Sequence, residues 1–168
     1  ELPVLEDFIV VMDENGRELD RVSVLEAIEN SEHTYLLSKL KEHGDIFHTN
    51  TVEVLDGRLA DEIPGFERGN VLITIRELGS IAVVDLDEKK VVWSFDGHWR
   101  KPHQATVLPN ENIMIFDNKG NRGRSQIVEF DPVILEGVWI YRGEEPDDFY
   151  SGQCGSNQRL PNGKTFIT

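Results

Sequence analysis

Short apolar runs separated by turn residues dominate the chain, and they predict a protein built from β-hairpins. Val, Ile and Phe recur in these runs, and Asp, Asn, Gly and Pro stand between them. The segment 104–116, for example, has the pattern of a strand, a Leu-Pro-Asn turn and a second strand. No apolar run is long enough to cross a bilayer as a helix. The pattern therefore predicts an all-β fold without a membrane-spanning segment.

The hairpins recur with a period of about 50 residues. Two Leu-Pro-Asn turns show this repeat, because Pro109 and Pro161 lie 52 residues apart. Four-stranded units with this period are typical of the blades of a β-propeller. We label the four strands of one unit A to D. The first whole unit is predicted at 48–55, 70–76, 80–85 and 90–95, and the second at 104–108, 112–116, 125–130 and 137–141. Strands C and D of a preceding unit are predicted at 8–12 and 18–24, and strands A and B of a following unit at 156–160 and 164–167.

One short helical insert interrupts the repeat. Helical spacing is found in Leu25, Ile28, Tyr35, Leu36 and Leu40. Ser23 and Glu26 form a capping box at the start of this stretch. A single domain is thus predicted, divided into a half blade (1–24), the insert (25–44), two blades (45–97 and 98–143) and a half blade (144–168). Propellers close with 4–8 blades. This chain has strands for only about three blades. We therefore predict that the rest of a six-bladed ring comes from a longer parent chain or from a second copy.

Charge and cysteine content narrow the possible partners. The net charge of −14 argues against nucleic acid as a partner, because the phosphates would be repelled. The single Cys154 excludes an internal disulfide and a cysteine-based metal site. A lone cysteine without an evident base is typical of a small buried apolar residue.

The starts of the A strands are the most informative positions, because A strands line the central channel of a propeller. His48 and His103 open the first two A strands, and Asn157 stands at the start of the third. Polar residues at such places are predicted to converge on one ligand site. A hydrogen bond to backbone is the structural alternative for His103, and a zinc site formed with His48 and His98 is a further alternative.

Arginines add positive charge at the same end of the predicted strands. Arg76 ends strand B of the first blade, and Arg122 and Arg124 lie in the B–C loop of the second. Arginine forks suit tetrahedral oxyanions, so the sequence predicts an anion site within an acidic protein. Pairing with surface carboxylates is the alternative for these side chains.

Several motifs together resemble the bacterial arylsulfotransferase family from about Leu5 onward, among them DIFHTNTVEVLDG, HQATVLPNENIMIFDN, GRSQIVEFD and GSNQRLPNGKTFIT. The resemblance implies a six-bladed propeller that moves a sulfo group from an aryl sulfate to a phenol through a histidine. It implies no cofactor and no nucleotide sulfate donor. It also implies an exported protein, periplasmic or attached to the membrane.

By motif, His48 in HTN and His103 in HQA match channel histidines of that family, and Arg124 before IVEF matches its sulfate-binding arginine. The family's sulfo-accepting histidine has no match here, so His103 is the predicted nucleophile. The predicted catalytic residues are His103, His48 and Arg124, and the predicted substrate-binding residues are Arg76, Asn50, Arg122, Gln104 and Asn157. No metal is predicted in the site.

Two other functions are compatible with the fold. The first is a non-catalytic propeller that binds an anionic ligand or a protein at its channel mouth. The second, a quinone-dependent dehydrogenase, is disfavoured because the channel strands carry no acidic set of metal ligands.

Overall fold

The computed structural model describes residues 2–120, 123–143 and 149–168 and is mostly β, with two short helical segments. The helical segments are α1 (Val24–Glu29) and a 3₁₀ helix (Thr34–Lys39). The strands are β1 (Val4–Leu5), β2 (Phe8–Met12), β3 (Glu18–Ser23), β4 (Gly44–Asp45), β5 (Thr49–Val54), β6 (Val71–Ile75), β7 (Ser80–Asp85), β8 (Lys90–Phe95), β9 (Pro102–Val107), β10 (Ile113–Asp117), β11 (Gln126–Asp131), β12 (Glu136–Tyr141), β13 (Asn157–Arg159) and β14 (Thr165–Ile167).

Two four-stranded antiparallel sheets form the centre of the molecule. Their strand orders are β5-β6-β7-β8 and β9-β10-β11-β12, so each strand pairs with its neighbour in sequence. All five residues of β6 and of β10 are buried, as expected of inner strands covered on both faces. Every predicted strand is present, with ends within two residues of the prediction. The all-β class and the two short helices are thus confirmed.

Two hairpins flank these sheets and complete a stack of apolar layers. The first hairpin, β2–β3, packs with the helical insert against one face of the first sheet, where Val22, Ile28 and Ile73 are buried. A second apolar cluster fills the space between the two sheets. A third joins the far face of the second sheet to Phe149 and to Ile167 of the last hairpin, β13–β14. Each four-stranded sheet therefore lies between apolar layers on both faces.

The helical insert has the cap and the core residues that its sequence predicts. The Ser23 hydroxyl accepts a hydrogen bond from the Glu26 amide at 2.9 Å, which caps the amino end of α1. Ile28 and Leu36 are fully buried. Tyr35 is instead 46% exposed, and its hydroxyl hydrogen-bonds Ser94 on the first sheet at 2.9 Å. A parallel pairing of β1 with β4, which the sequence did not predict, ties the insert to the start of the chain.

Side chains link the first strands of neighbouring sheets. The Gln104 amide of β9 donates to Thr51 Oγ1 of β5 at 2.9 Å, and Asn50 Nδ2 donates back to the Pro102 carbonyl at 2.9 Å. On the other side of β9, Asn157 Nδ2 of β13 donates to the Gln104 carbonyl at 3.3 Å. Strands β5, β9 and β13 therefore run side by side, and residues at their starts share one end of the molecule.

Candidate functional site

His103, the second residue of β9, has its ring held by two oxygen atoms. Its Nδ1 lies 2.6 Å from Asn118 Oδ1 and 3.1 Å from the Lys101 carbonyl oxygen. Both oxygens act only as acceptors if the Asn118 amide is oriented with Oδ1 toward the ring. The tautomer of His103 therefore depends on what fixes that amide.

Asn118 is fully buried just after β10, and its orientation is set by two backbone carbonyls. Its Nδ2 donates to the carbonyls of Ser151 and Cys154 at 2.7 and 2.8 Å, which places Oδ1 toward His103. The Ser125 hydroxyl extends the network, because it donates to the Asn118 carbonyl at 2.8 Å and accepts from the Ser151 amide at 2.7 Å. The amide of Asn118 is thus fixed by the segment before β13.

The consequence is a defined protonation state for the imidazole. Nδ1 carries the proton and donates it to Asn118 and Lys101, so in the neutral ring the lone pair is on Nε2. Burial lowers the pKa of His103 below its ordinary value; its two hydrogen bonds oppose this, and the charges of Arg76 and His48 add to the lowering. His103 is therefore neutral at pH 7, with Nε2 able to act as a nucleophile or a base.

Arg76, which follows β6, belongs to a cluster of charges centred on Glu77. The Glu77 side chain is only 3% exposed and pairs with Arg76, Lys41 and Lys101, with the last at 2.6 Å. Burial opposes its ionisation, but the hydrogen bonds from Lys101 and Lys41 prevail and lower the pKa of Glu77 to about 2. Three cations thus surround one carboxylate, and Arg76 Nε is buried without a hydrogen-bond partner among the described residues.

His48 lies outside β5, in contact with solvent. Its side chain is 46% exposed, and its Nδ1 contacts the Asp45 carboxylate. Sequence analysis placed His48 and His103 at equivalent positions, and the strand register shows that this is wrong. The His48 carbonyl pairs with the amide after β6, which makes Lys101 its counterpart, whereas His103 pairs with Phe116 and corresponds to Thr51. Thr49 and Pro102 pair equivalently, as do Val54 and Val107, so the offset arises because the two histidines stand at different positions of the repeated unit, and both strands carry a bulge between these pairs.

The remaining predicted residues divide into two groups. Asn50, Gln104 and Asn157 lie at the starts of β5, β9 and β13 and hydrogen-bond across these strands. Asn157 is 1% exposed, and its Oδ1 has no hydrogen-bond partner in the described part of the chain. Arg124 is exposed and directly precedes Ser125 of the Asn118 network. Arg122 lies outside the described residues.

The sequence analysis missed the residues that hold the candidate site in place. Asn118 was visible only as the end of the motif FDN, and an Asn at a strand end is ordinarily read as a turn residue. Glu77 and Lys101 carried no local signal, because their pairing joins turns that are 24 residues apart. Cys154 was interpreted as a buried apolar residue, and this is wrong: it is exposed, and its carbonyl supports Asn118.

The described residues contain neither a metal-binding cluster nor a membrane-spanning helix. Within residues 2–120, 123–143 and 149–168, no three His, Cys, Asp or Glu side chains are arranged to hold a metal ion. His48, His98 and His103 accordingly do not form the zinc site considered above. Among the same residues, none of the helices is long and apolar enough to cross a membrane.

Comparison with known proteins gives one result. A family model described as Arylsulfotransferase (ASST) matches residues 3–168, which is nearly the whole chain. No curated protein matches the chain at a significant level.

Proposed function

The chain belongs to the arylsulfotransferase (ASST) family, and we propose that it transfers a sulfo group from an aryl sulfate to a phenol through His103. The family implies an enzyme of the sulfotransferase type. The observation that carries the assignment to His103 is its fixed tautomer. Asn118 and the Lys101 carbonyl hold the proton on Nδ1, which leaves a lone pair on Nε2 of a neutral imidazole.

In the first half-reaction, Nε2 of His103 attacks the sulfur of the aryl sulfate. An N–S bond forms, the bond between sulfur and the aryl oxygen breaks, and its electron pair leaves with the phenolate. Transfer of this kind passes through a loose transition state, so catalysis depends on positioning and on stabilising charge. The Nδ1–H bond to Asn118 Oδ1 stabilises the positive charge that develops on the ring.

Cations beside His103 stabilise the negative charge of the sulfo group and the leaving oxygen. Arg76 is close enough for its charge to lower the pKa of His103. We assign Arg76 to the sulfo oxygens and His48, whose charge also acts on His103, to protonation of the departing phenolate. Arg124 is assigned to binding of the sulfate group because it matches the family's sulfate-binding arginine, and Arg122 is the alternative for this role.

In the second half-reaction, the acceptor phenol loses its proton to His48, and its oxygen attacks the sulfur. The N–S bond breaks and returns its electron pair to Nε2, which restores neutral His103. Asn157, whose Oδ1 is buried without a partner among the described residues, is assigned to the wall of the acceptor site and makes no bond to the proton that passes to His48. Asn50 and Gln104 complete the wall between neighbouring strands.

The two four-stranded sheets fit blades of a propeller with β5, β9 and β13 facing its channel. We assign them to a six-bladed ring, in line with the family resemblance, with the other blades supplied by further polypeptide or by a second copy. This arrangement places the start of β9, and with it His103, at the mouth of the channel.

The test is a mass measurement on the intact full-length protein after incubation with 4-nitrophenyl sulfate and no acceptor. We expect the mass to rise by one sulfo group, to stay unchanged in His103→Ala, and to rise normally in His98→Ala, which removes an exposed imidazole of the preceding loop. An adduct that persists in His103→Ala would move the nucleophile to another residue. A folded protein that forms no adduct and releases no nitrophenol would instead be a non-catalytic binder of an anionic ligand.

A further inference from the structure

A cavity of about 270 Å³ lies beside the candidate site, between the ends of the two four-stranded sheets. The turn after β6 contributes Arg76, the segment before β9 contributes Trp99, Arg100 and Lys101, and Lys119 follows β10. His103 does not line this cavity. Its described lining residues thus come from the turns and segments at the ends of the two four-stranded sheets.

The charge of the cavity is opposite to that of the protein. Among its described lining residues four are cations and one is acidic, and the acidic one, Glu77, is already paired with Arg76, Lys41 and Lys101. Arg100 and Lys119 make no ion pair with a described residue, although the charge of Arg100 acts on the nearby carboxyl of Asp117. This excess of positive charge in a chain of net charge −14 favours an anion at this place.

A second observation points to a missing acceptor. The Nε–H group of Arg76 is buried and has no hydrogen-bond partner among the described residues. A buried donor without a partner loses free energy that a bound oxygen would restore. Trp99 also borders the cavity, with its ring packed on Phe95 and Phe130 in the apolar cluster between the sheets. The cations suit a carboxylate or sulfonate group, and the aromatic ring that carries this group is that of the proposed aryl substrate.

Arg76 joins the cavity to the site of transfer, because its charge also acts on His103. We propose that this cavity binds a second anionic group of the aryl substrate, so that the enzyme prefers aryl sulfates and phenols that also carry a carboxylate or sulfonate. The inference rests on the proposed function for the identity of the ligand. The presence of an anion subsite can be tested without turnover.

Binding is measured first, by calorimetric titration of the full-length protein with 4-hydroxybenzoate and with its neutral counterpart 4-hydroxybenzamide. We expect the carboxylate to bind more tightly, and the double variant Arg100→Met, Lys119→Met to lose about ten-fold in affinity for it and nothing for the amide. Lys164→Met, which removes one charge from the exposed turn between β13 and β14, is the matched control and should change neither affinity.

Turnover provides the second arm. The double variant should keep the wild-type rate of nitrophenol release from 4-nitrophenyl sulfate and lose the preference for the sulfate ester of 4-hydroxybenzoate over that of 4-hydroxybenzamide. Equal binding of the two phenols, or equal loss in the Lys164→Met control, would overturn the proposal. So would tight binding of inorganic sulfate at Arg100 and Lys119 without binding of 4-hydroxybenzoate, because the cavity would then be a site for a free ion. Carboxylate binding without any transfer would keep the subsite and reject the proposed reaction.

Discussion

Replacing Asn118 with Leu tests whether the buried amide controls the reactivity of His103. The side chain makes three short hydrogen bonds, to His103 Nδ1 and to the carbonyls of Ser151 and Cys154. Leu has a similar volume but removes all three hydrogen bonds, and each partner then keeps one other contact, to the Lys101 carbonyl, the Ser125 hydroxyl or the Ser151 hydroxyl. A hydrogen bond contributes about 0.5–1.5 kcal/mol net, so for three of them we expect the free energy of unfolding to fall by about 2–4 kcal/mol. The freed imidazole should lose about 10²-fold in the rate of sulfo transfer to His103.

Three measurements separate positioning from simple destabilisation. Urea unfolding gives the loss of stability, rapid-quench mass measurement gives the rate of adduct formation, and heteronuclear NMR of the imidazole nitrogens gives the tautomer. Asn112→Leu is the matched control, since Asn112 precedes the same strand and donates to Glu129 at 2.8 Å. It should lower stability but leave the rate and the tautomer unchanged. A normal rate and a proton still on Nδ1 in folded Asn118→Leu would refute the reasoning.

Two further predictions concern pH. Because burial lowers the pKa of His103, the acid limb of the rate of adduct formation should have its midpoint below pH 6.5, the ordinary histidine value. Asn118→Asp should move this limb up by about 1–3 pH units, since a carboxylate favours the imidazolium. An unmoved limb in a folded Asn118→Asp would contradict the assignment. Glu77 has a pKa of about 2 in the folded protein against 4.5 for a free group, so the stability that its ionised form contributes is present above pH 4.5 and is lost as the pH falls toward 2. Urea unfolding should show that the free energy of unfolding falls by about 1–2 kcal/mol over this range, after allowance for solvent screening at the exposed lysine partner. This loss should be absent in Glu77→Gln.

The strands could be predicted because each sheet is a chain of local hairpins. Consecutive strands pair with each other throughout both sheets, so a turn signal and two apolar runs specify each pairing without reference to distant sequence. The same is true of α1, whose cap and buried residues lie within a few positions of one another. Local patterns therefore predicted nearly all the elements. They could not predict the short β1–β4 pairing, because it joins segments about forty residues apart.

The candidate site could be predicted only in part, because its geometry depends on register. Motif order placed His103 correctly at the start of β9, but it did not show that His48 pairs two positions away from the place of His103 in the register. The Glu77 cluster unites side chains from the insert, from the turn after β6 and from the segment before β9. Interactions of this kind follow from the packing of the sheets, and the spacing of residues within one four-stranded unit does not predict them.

The register also explains how a repeated unit can form one asymmetric site. Arg76 follows the last residue of β6, and Asn118 follows the last residue of β10, so the two occupy the same position in successive sheets. In the first sheet that position supplies a cation whose charge acts on His103, and in the second it supplies the acceptor that holds the ring. A strictly repeated residue could not serve both ends of the reaction, because two cations would leave the imidazole proton only the more distant Lys101 carbonyl at 3.1 Å and two amides would leave the sulfo oxygens without a counter-charge. Divergence at this single position between sheets is thus what the proposed transfer requires.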